Sequence, residues 1–101
     1  MEFSHISVLL NESVDGLAVK ENGIYVDGTA GGGGHSSEIL KRLKSGKLIS
    51  IDRDPDAITT LTQKFKKNEN SIIVKGNFAD IKELLLLRGI GAVDGVLLDI
   101  G

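Results

Sequence analysis

The sequence predicts an α/β fold, a parallel doubly wound sheet built in the order β-α-β-α-β-α-β and preceded by an N-terminal helix. Two observations lead there. Runs of consecutive β-favouring apolar residues, such as Ile72-Ile73-Val74 and Val96-Leu97-Leu98, read as strands covered on both faces. Between them lie stretches with apolar residues three and four apart, the helical period. The connections are too long for hairpins, so each strand is expected to reach its neighbour through a right-handed crossover.

The bulk composition narrows the class. A chain of 101 residues is sized for one domain with a modest core. Hydrophobic residues make up 41% and charged residues 26%, ordinary for a globular protein. No apolar stretch is long enough to span a membrane, and Met1-Glu2-Phe3-Ser4-His5 lacks the basic-then-apolar pattern of a secretory signal. With no cysteine, disulfides and thiolate metal sites are excluded, which fits a reducing cytoplasm. His5 and His35 have no metal-ligand spacing. A net charge of −2 gives no global attraction to nucleic acid.

In chain order, residues 6–17 place Leu10, Val14 and Leu17 at helical steps, with Ser7 as N-cap. Glu21-Asn22-Gly23 is a turn. Residues 23–27 form the first strand, and a loop holding five of the 13 glycines follows it. Ile39, Leu40 and Leu43 make the stripe of the next helix, ending in Lys41, Arg42 and Lys44, with Ser45-Gly46 as its stop. Residues 47–52 form the second strand. Asp54-Pro55 announces a helix by cap and first position, with Ala57, Ile58, Leu61 and Phe65 on its buried side. Residues 71–75 are the third strand. The third helix carries Ile81, Leu84, Leu85 and Leu87 and is closed by Gly89. Residues 92–99 are the fourth strand.

In open parallel sheets ligands bind beyond the carboxyl ends of the strands. The predicted strand ends carry Asp27, Asp52, Asn77-Phe78 and Asp99. Strand-end acids also serve as turn formers and caps, but here three of them share an edge with the loop 28–34. Glycine lets main chain approach a ligand closely, and the following helix turns its free N–H groups toward it. Asp52 lies 21 residues beyond Gly31, near the offset at which an acid accepts ribose hydroxyls; as a loop residue beside Arg53 it has a purely structural alternative.

The glycine spacing selects among cofactors. G-x-G-x-x-G fails, because the third glycine is replaced by Ser36 or Ser37, counting from Gly31 or Gly32. The phosphate loop fails because Gly33 is followed by Gly34-His35 and no lysine. What remains is acid-x-Thr-x-Gly-x-Gly from Asp27 to Gly33. S-adenosylmethionine has no phosphate and carries a sulfonium and an ammonium. A carboxylate at Asp27 suits that cationic part and repels a pyrophosphate. Phe78 can stack on adenine or belong to the core, and His35 by itself reads as a hydrogen-bonding residue at the helix start.

Several segments resemble the N-terminal part of the MraW-type (RsmH) methyltransferases: residues 5–12 (HISVLLNE), 25–36 (YVDGTAGGGGHS), 51–58 (IDRDPDAI), Asn77-Phe78 and 93–99 (VDGVLLD). The resemblance spans nearly the whole chain in order. It implies a Rossmann-like methyltransferase fold and an activity that methylates the exocyclic N4 of a cytidine in bacterial small-subunit ribosomal RNA. It implies cofactor contacts at Gly33, Gly34, His35, Asp52, Phe78 and Asp99, to which the residue reading adds Asp27 and Gly31. It moves His35 and Phe78 toward the cofactor. Asp99 is the candidate acceptor for the amine proton. Asp99 is followed by Ile100-Gly101 rather than the Pro-Pro-aromatic run of many amine methylases, a run this family also lacks.

On this reading residues 1–22 are a helical lead-in and 23–101 the N-terminal half of the methyltransferase domain. A chain stopping at Leu98-Asp99-Ile100-Gly101 reads as the first part of a longer cytoplasmic enzyme, inactive without the region that grips the RNA, with no DNA or membrane partner. Two other readings compete. One is a nicotinamide-dependent oxidoreductase, opposed by the failed glycine spacing. The other is a non-enzymatic RNA-binding module using Lys41, Arg42, Lys44, Lys47, Lys64, Lys66 and Lys67, which read more simply as solvated helix ends.

Overall fold

The computed structural model describes residues 7–10, 18–28 and 34–98. In chain order these form β1 (Ser7–Leu10), β2 (Ile24–Asp27), α1 (Gly34–Arg42), β3 (Lys47–Asp52), α2 (Pro55–Lys64), β4 (Ser71–Lys75), a 3₁₀ turn (Phe78–Asp80), α3 (Ile81–Leu86) and β5 (Gly95–Leu98). The strands build one five-stranded sheet in the order β1-β5-β2-β3-β4. Every pairing in it is parallel.

The sheet is buried on both sides, which is why its strands are apolar in succession rather than in alternation. Along β2 and β3, Tyr25 and Leu48 face one layer with Ile39, Leu40 and Leu43 of the α1 segment and Leu61 and Phe65 of the α2 segment. Val26 and Ile49 face the other layer, which contains Leu85, Ile90, Val93 and Val96, with Ile81 and Leu84 of α3 packed against it. The helices therefore divide between the two faces, as a doubly wound sheet requires. Each fully buried Leu or Ile contributes about 1.5–3 kcal/mol.

The helix ends follow their sequence signals. Asp54 caps α2 by accepting the Asp56 N–H at 2.9 Å, with Pro55 in the first turn. Beyond α3, Gly89 adopts φ 75°. Its N–H donates to the Leu86 carbonyl and the Ile90 N–H to the Leu85 carbonyl, both at 3.0 Å. This is a Schellman closure, with Leu85 and Ile90 meeting in the core.

Three expectations need correction. Residues 7–10 form a strand, not the start of a helix over 6–17, and Ser7 is not an N-cap. Val8-Leu9-Leu10 is a consecutive apolar run like those of the other strands, and β5 offers it a ladder from Ser7↔Gly95 to Leu10↔Leu98. Residues 11–17 of that predicted helix lie outside the described residues. Leu87 is 82% exposed rather than core, because the short α3 turns it away from the sheet. Ala57 and Ile58 are only half-buried, while Leu61 and Phe65 carry the contact of their helix.

Gly46 has a reason the sequence does not display. The turn at residues 21–23 packs against the end of α1: the Lys44 and Gly46 N–H groups donate to the Glu21 carbonyl (2.7 and 3.0 Å), and the Lys47 N–H to the Gly23 carbonyl (2.9 Å). A Cβ on Gly46 would lie 2.2 Å from the Gly23 carbonyl oxygen. Gly46→Ala is therefore expected to destabilise the protein by about 1–3 kcal/mol, read from its urea midpoint. Gly91→Ala, where a Cβ meets nothing within 4 Å, should leave that midpoint unchanged or raise it.

Candidate active site

Chain order reverses direction in the sheet at β2. β3 and β4 extend to one side of it and β5 returns to the other. The crevice outside the carboxyl ends at such a point is where open α/β sheets bind ligands. Here the Gly28 N–H donates to the Leu97 carbonyl at 2.8 Å, joining β2 and β5 as the chain enters the glycine loop. Residues 29–33 of that loop lie outside the described residues. The chain re-enters at Gly34, the first residue of α1, and His35 is exposed in its first turn.

Asp27 is fully buried beneath this edge. Its Oδ2 accepts the Ser36 hydroxyl at 2.7 Å, and Ser36 Oγ lies 3.0 Å from Ser50 Oγ. Both serines are themselves fully buried. A buried polar group needs a partner, and this one joins β2, β3 and the first turn of α1. Sequence reasoning places Asp27 near a ligand cation; the structure shows it buried at the end of β2 and hydrogen-bonded to Ser36 of α1. Ser36 and Ser50 went unnoticed in sequence, although a serine inside an apolar strand run (Leu48-Ile49-Ser50-Ile51) is itself a signal.

Beside this edge lies a cleft of about 330 Å³, lined by Gly28, Ile51, Asp52, Arg53, Gly76, Asn77 and Phe78. Two turns make its walls. In one, the Asp54 N–H donates to Asp52 Oδ1 at 2.9 Å, so Asp52 shapes its loop while lining the cleft; a carboxylate keeps further acceptor sites for a ligand. In the other, Asn77 Oδ1 caps the 3₁₀ turn by accepting the Ala79 N–H at 3.0 Å. The Gly76 N–H donates to the Asp52 carbonyl at 2.9 Å and holds the turns together. Phe78 packs on the core layer of Val26 and Ile49 and also lines the cleft.

The structure thus brings together Asp52 and Phe78, with Asp27 buried nearby at the end of the adjacent strand β2 and His35 and Gly34 at the start of α1. Gly31, Gly33 and Asp99 lie outside the described residues; Asp99 follows directly on the last residue of β5. Arg53 and Gly76 were overlooked in sequence, though each adjoins a residue already singled out. Among the described residues no group of three or more His, Asp or Glu is placed to hold a metal. The basic residues at the helix ends are partly matched by acids: Lys41 and Arg42 reach Glu38 at 3.3 and 4.0 Å, and Lys44 reaches Glu21 at 3.4 Å.

Comparison with known proteins decides what this frame belongs to. The profile of the MraW methylase family matches residues 2–101. The chain belongs to the MraW methylase family. It is 54% identical over 102 residues to the ribosomal RNA small subunit methyltransferase H of Clostridium botulinum (strain Okra / Type B1), covering 100% of this chain and 33% of the relative. The same-named protein of Mesoplasma florum is 56% identical over 98 residues, covering 96% and 32%. The chain thus spans about a third of the length of these MraW relatives.

Solved structures bear out the Rossmann-like α/β frame. A SAM-dependent methyltransferase from Aquifex aeolicus superposes with a TM-score of 0.58 at 21% identity, over 63% of this chain and 36% of that one. Precorrin 8w decarboxylase from Methanobacterium thermoautotrophicum reaches 0.62 at 25% identity, over 80% and 42%.

The serine link gives this site a measurable weakness. Ser36→Ala removes the hydroxyl that the buried Asp27 carboxylate accepts, and the expected loss of stability is about 1–3 kcal/mol. Denaturant unfolding measures it. An unchanged midpoint would show that Asp27 does not depend on Ser36.

Proposed function

We propose that this chain holds the cofactor of an S-adenosylmethionine-dependent methyltransferase acting on the exocyclic N4 of a cytidine in small-subunit ribosomal RNA. The observation that carries the reading is the cleft between the Asp52 and Phe78 turns, beside the glycine loop at the sheet's switch point. Its volume of about 330 Å³ falls in the range of small-molecule sites. One wall offers a carboxylate for ribose hydroxyls, another a ring for a purine face. The family and the names of the Clostridium and Mesoplasma relatives support the reaction and the RNA.

Bound S-adenosylmethionine supplies an electrophilic methyl group on a sulfonium. In this reading Asp52 accepts the ribose hydroxyls, Phe78 stacks on the adenine, and Gly31, Gly33, Gly34 and His35 line the methionine end at the start of α1. Asp27 lends negative charge from the end of β2. Asp99 accepts an N–H of the cytidine amine and takes its proton; the amine is a poor nucleophile because its lone pair is delocalised into the ring, so such an acceptor assists. The base has to leave its stack to reach the methyl. No helix among the described residues is long and apolar enough to cross a membrane, and an rRNA substrate fits the cytoplasm.

Calorimetry on the protein encoded by the full gene tests this. S-Adenosylhomocysteine should bind and NAD should not. Asp52→Ala should weaken S-adenosylhomocysteine by tenfold or more, about 1.4 kcal/mol, and labelled methyl should pass to small-subunit RNA. Binding of NAD alone would refute the reading in favour of an oxidoreductase.

A further inference from the structure

We propose that Arg53 forms the second wall of a purine clamp, its guanidinium plane lying on one face of the cofactor's adenine while the Phe78 ring takes the other. The proposal rests on the S-adenosylmethionine reading above and names a residue that reading does not use. Arg53 and Phe78 line the same cleft from different turns, one after β3 and one after β4. These strands are direct neighbours, paired as far as Asp52↔Lys75. The Gly76 N–H on the Asp52 carbonyl carries the ladder one step further, so the turns leave the sheet together with the cleft between them.

The environment of Arg53 separates it from an ordinary solvated arginine. Asp52, Asp54 and Asp56 surround it in sequence, yet among the described residues it makes no ion pair. The neighbouring carboxylates serve the backbone of the turn. Asp52 Oδ1 is engaged by the Asp54 N–H and Asp54 Oδ1 by the Asp56 N–H, both at 2.9 Å. These bonds fix the backbone on both sides of Arg53, a residue that lines the cleft and is exposed. A guanidinium is flat, stays charged and stacks on flat rings, and a cation over a π-face is favourable. Phe78 is partly anchored in the core and provides the fixed wall. Arg53 provides the adjustable one.

Binding of S-adenosylhomocysteine and of adenosine to the protein encoded by the full gene tests the clamp. Arg53→Ala is expected to weaken both ligands by about tenfold, because the lost contact is to the base they share. Arg53→Lys should lose nearly as much, since it keeps the charge without the plane, and Arg53→Tyr should recover most of the loss. The side chain is exposed, so thermal melts of all three variants should match the parent. The clamp is overturned if Arg53→Ala stays within twofold of the parent. It is overturned equally if Arg53→Lys binds like the parent, or if the loss falls on S-adenosylhomocysteine and spares adenosine, which would place Arg53 at the amino-acid end. Failure of the unmutated protein to bind S-adenosylhomocysteine would instead overturn the cofactor reading and the clamp with it.

Discussion

A carboxylate buried away from water has to be hydrogen-bonded, and the placement of Asp27 follows from that requirement. With no exposed surface, it accepts a bond from Ser36 in the first turn of α1, and Ser36 touches Ser50 on the neighbouring strand. The register explains why all three meet. Tyr25 pairs with Leu48 and Asp27 with Ser50. On this face of the sheet, residues two apart therefore change from Tyr25 and Leu48 to Asp27 and Ser50, and then to Asp52. The same layer is oily core at one end and polar at the carboxyl edge. The opposite face, with Val26, Ile49 and Ile51, stays apolar throughout. The polar end of one layer fixes where α1 begins, and with it where the glycine loop must finish.

The cleft depends on the same ladder. β3 and β4 run in register through Asp52↔Lys75, and Gly76 adds a bond to the Asp52 carbonyl. Their two turns cannot drift apart without breaking paired main chain. Phe78 reinforces this by packing on the core from the cleft side. The opposite edge of the sheet is held by backbone approach: Gly23 and Gly46 pass so closely that a methyl group does not fit. There the lysines ending α1 find acids on Glu38 and Glu21. Lys41 and Lys44 are thus matched by acids on that side, which argues against reading them as the functional surface.

What the sequence displayed was what local chemistry determines. β3 and β4 have the predicted bounds because apolar runs in a two-sided sheet stand out from their turns. Asp54-Pro55 and Gly89 carry their geometry in single residues. What it did not display is settled by partners far along the chain. Residues 7–10 satisfy a helical step and a strand run equally well, and only β5, some 90 residues on, decides between them. Asp94 passed without a role, yet its carboxylate accepts the Ile24 N–H at 2.8 Å and its own N–H donates to the Ile24 carbonyl at 2.7 Å, setting β5 beside β2. Asp27, Asp52 and Phe78 were legible from strand-end position, the adjoining glycine loop, the offset of Asp52 from Gly31 and, for Phe78, the family resemblance. Ser36, Ser50 and Arg53 gain meaning only once strands and turns are brought side by side.

The frame does not choose the chemistry, since a decarboxylase superposes on this chain about as well as a methyltransferase does. The discrimination lies in a few substitutions within the frame. A dinucleotide site needs a third glycine where this chain has Ser36 or Ser37. Ser36 is not available for that purpose, because its hydroxyl holds Asp27. Replacing it with glycine would take a hydroxyl bond from a buried carboxylate at the end of β2. Negative charge in a low-dielectric interior acts strongly at short range, so the pair works against a polyanion and toward a cation. The serine that breaks the dinucleotide spacing and the acid that the proposed S-adenosylmethionine reading sets near the sulfonium are thus hydrogen-bonded to each other, and on that reading a change in cofactor class would involve both.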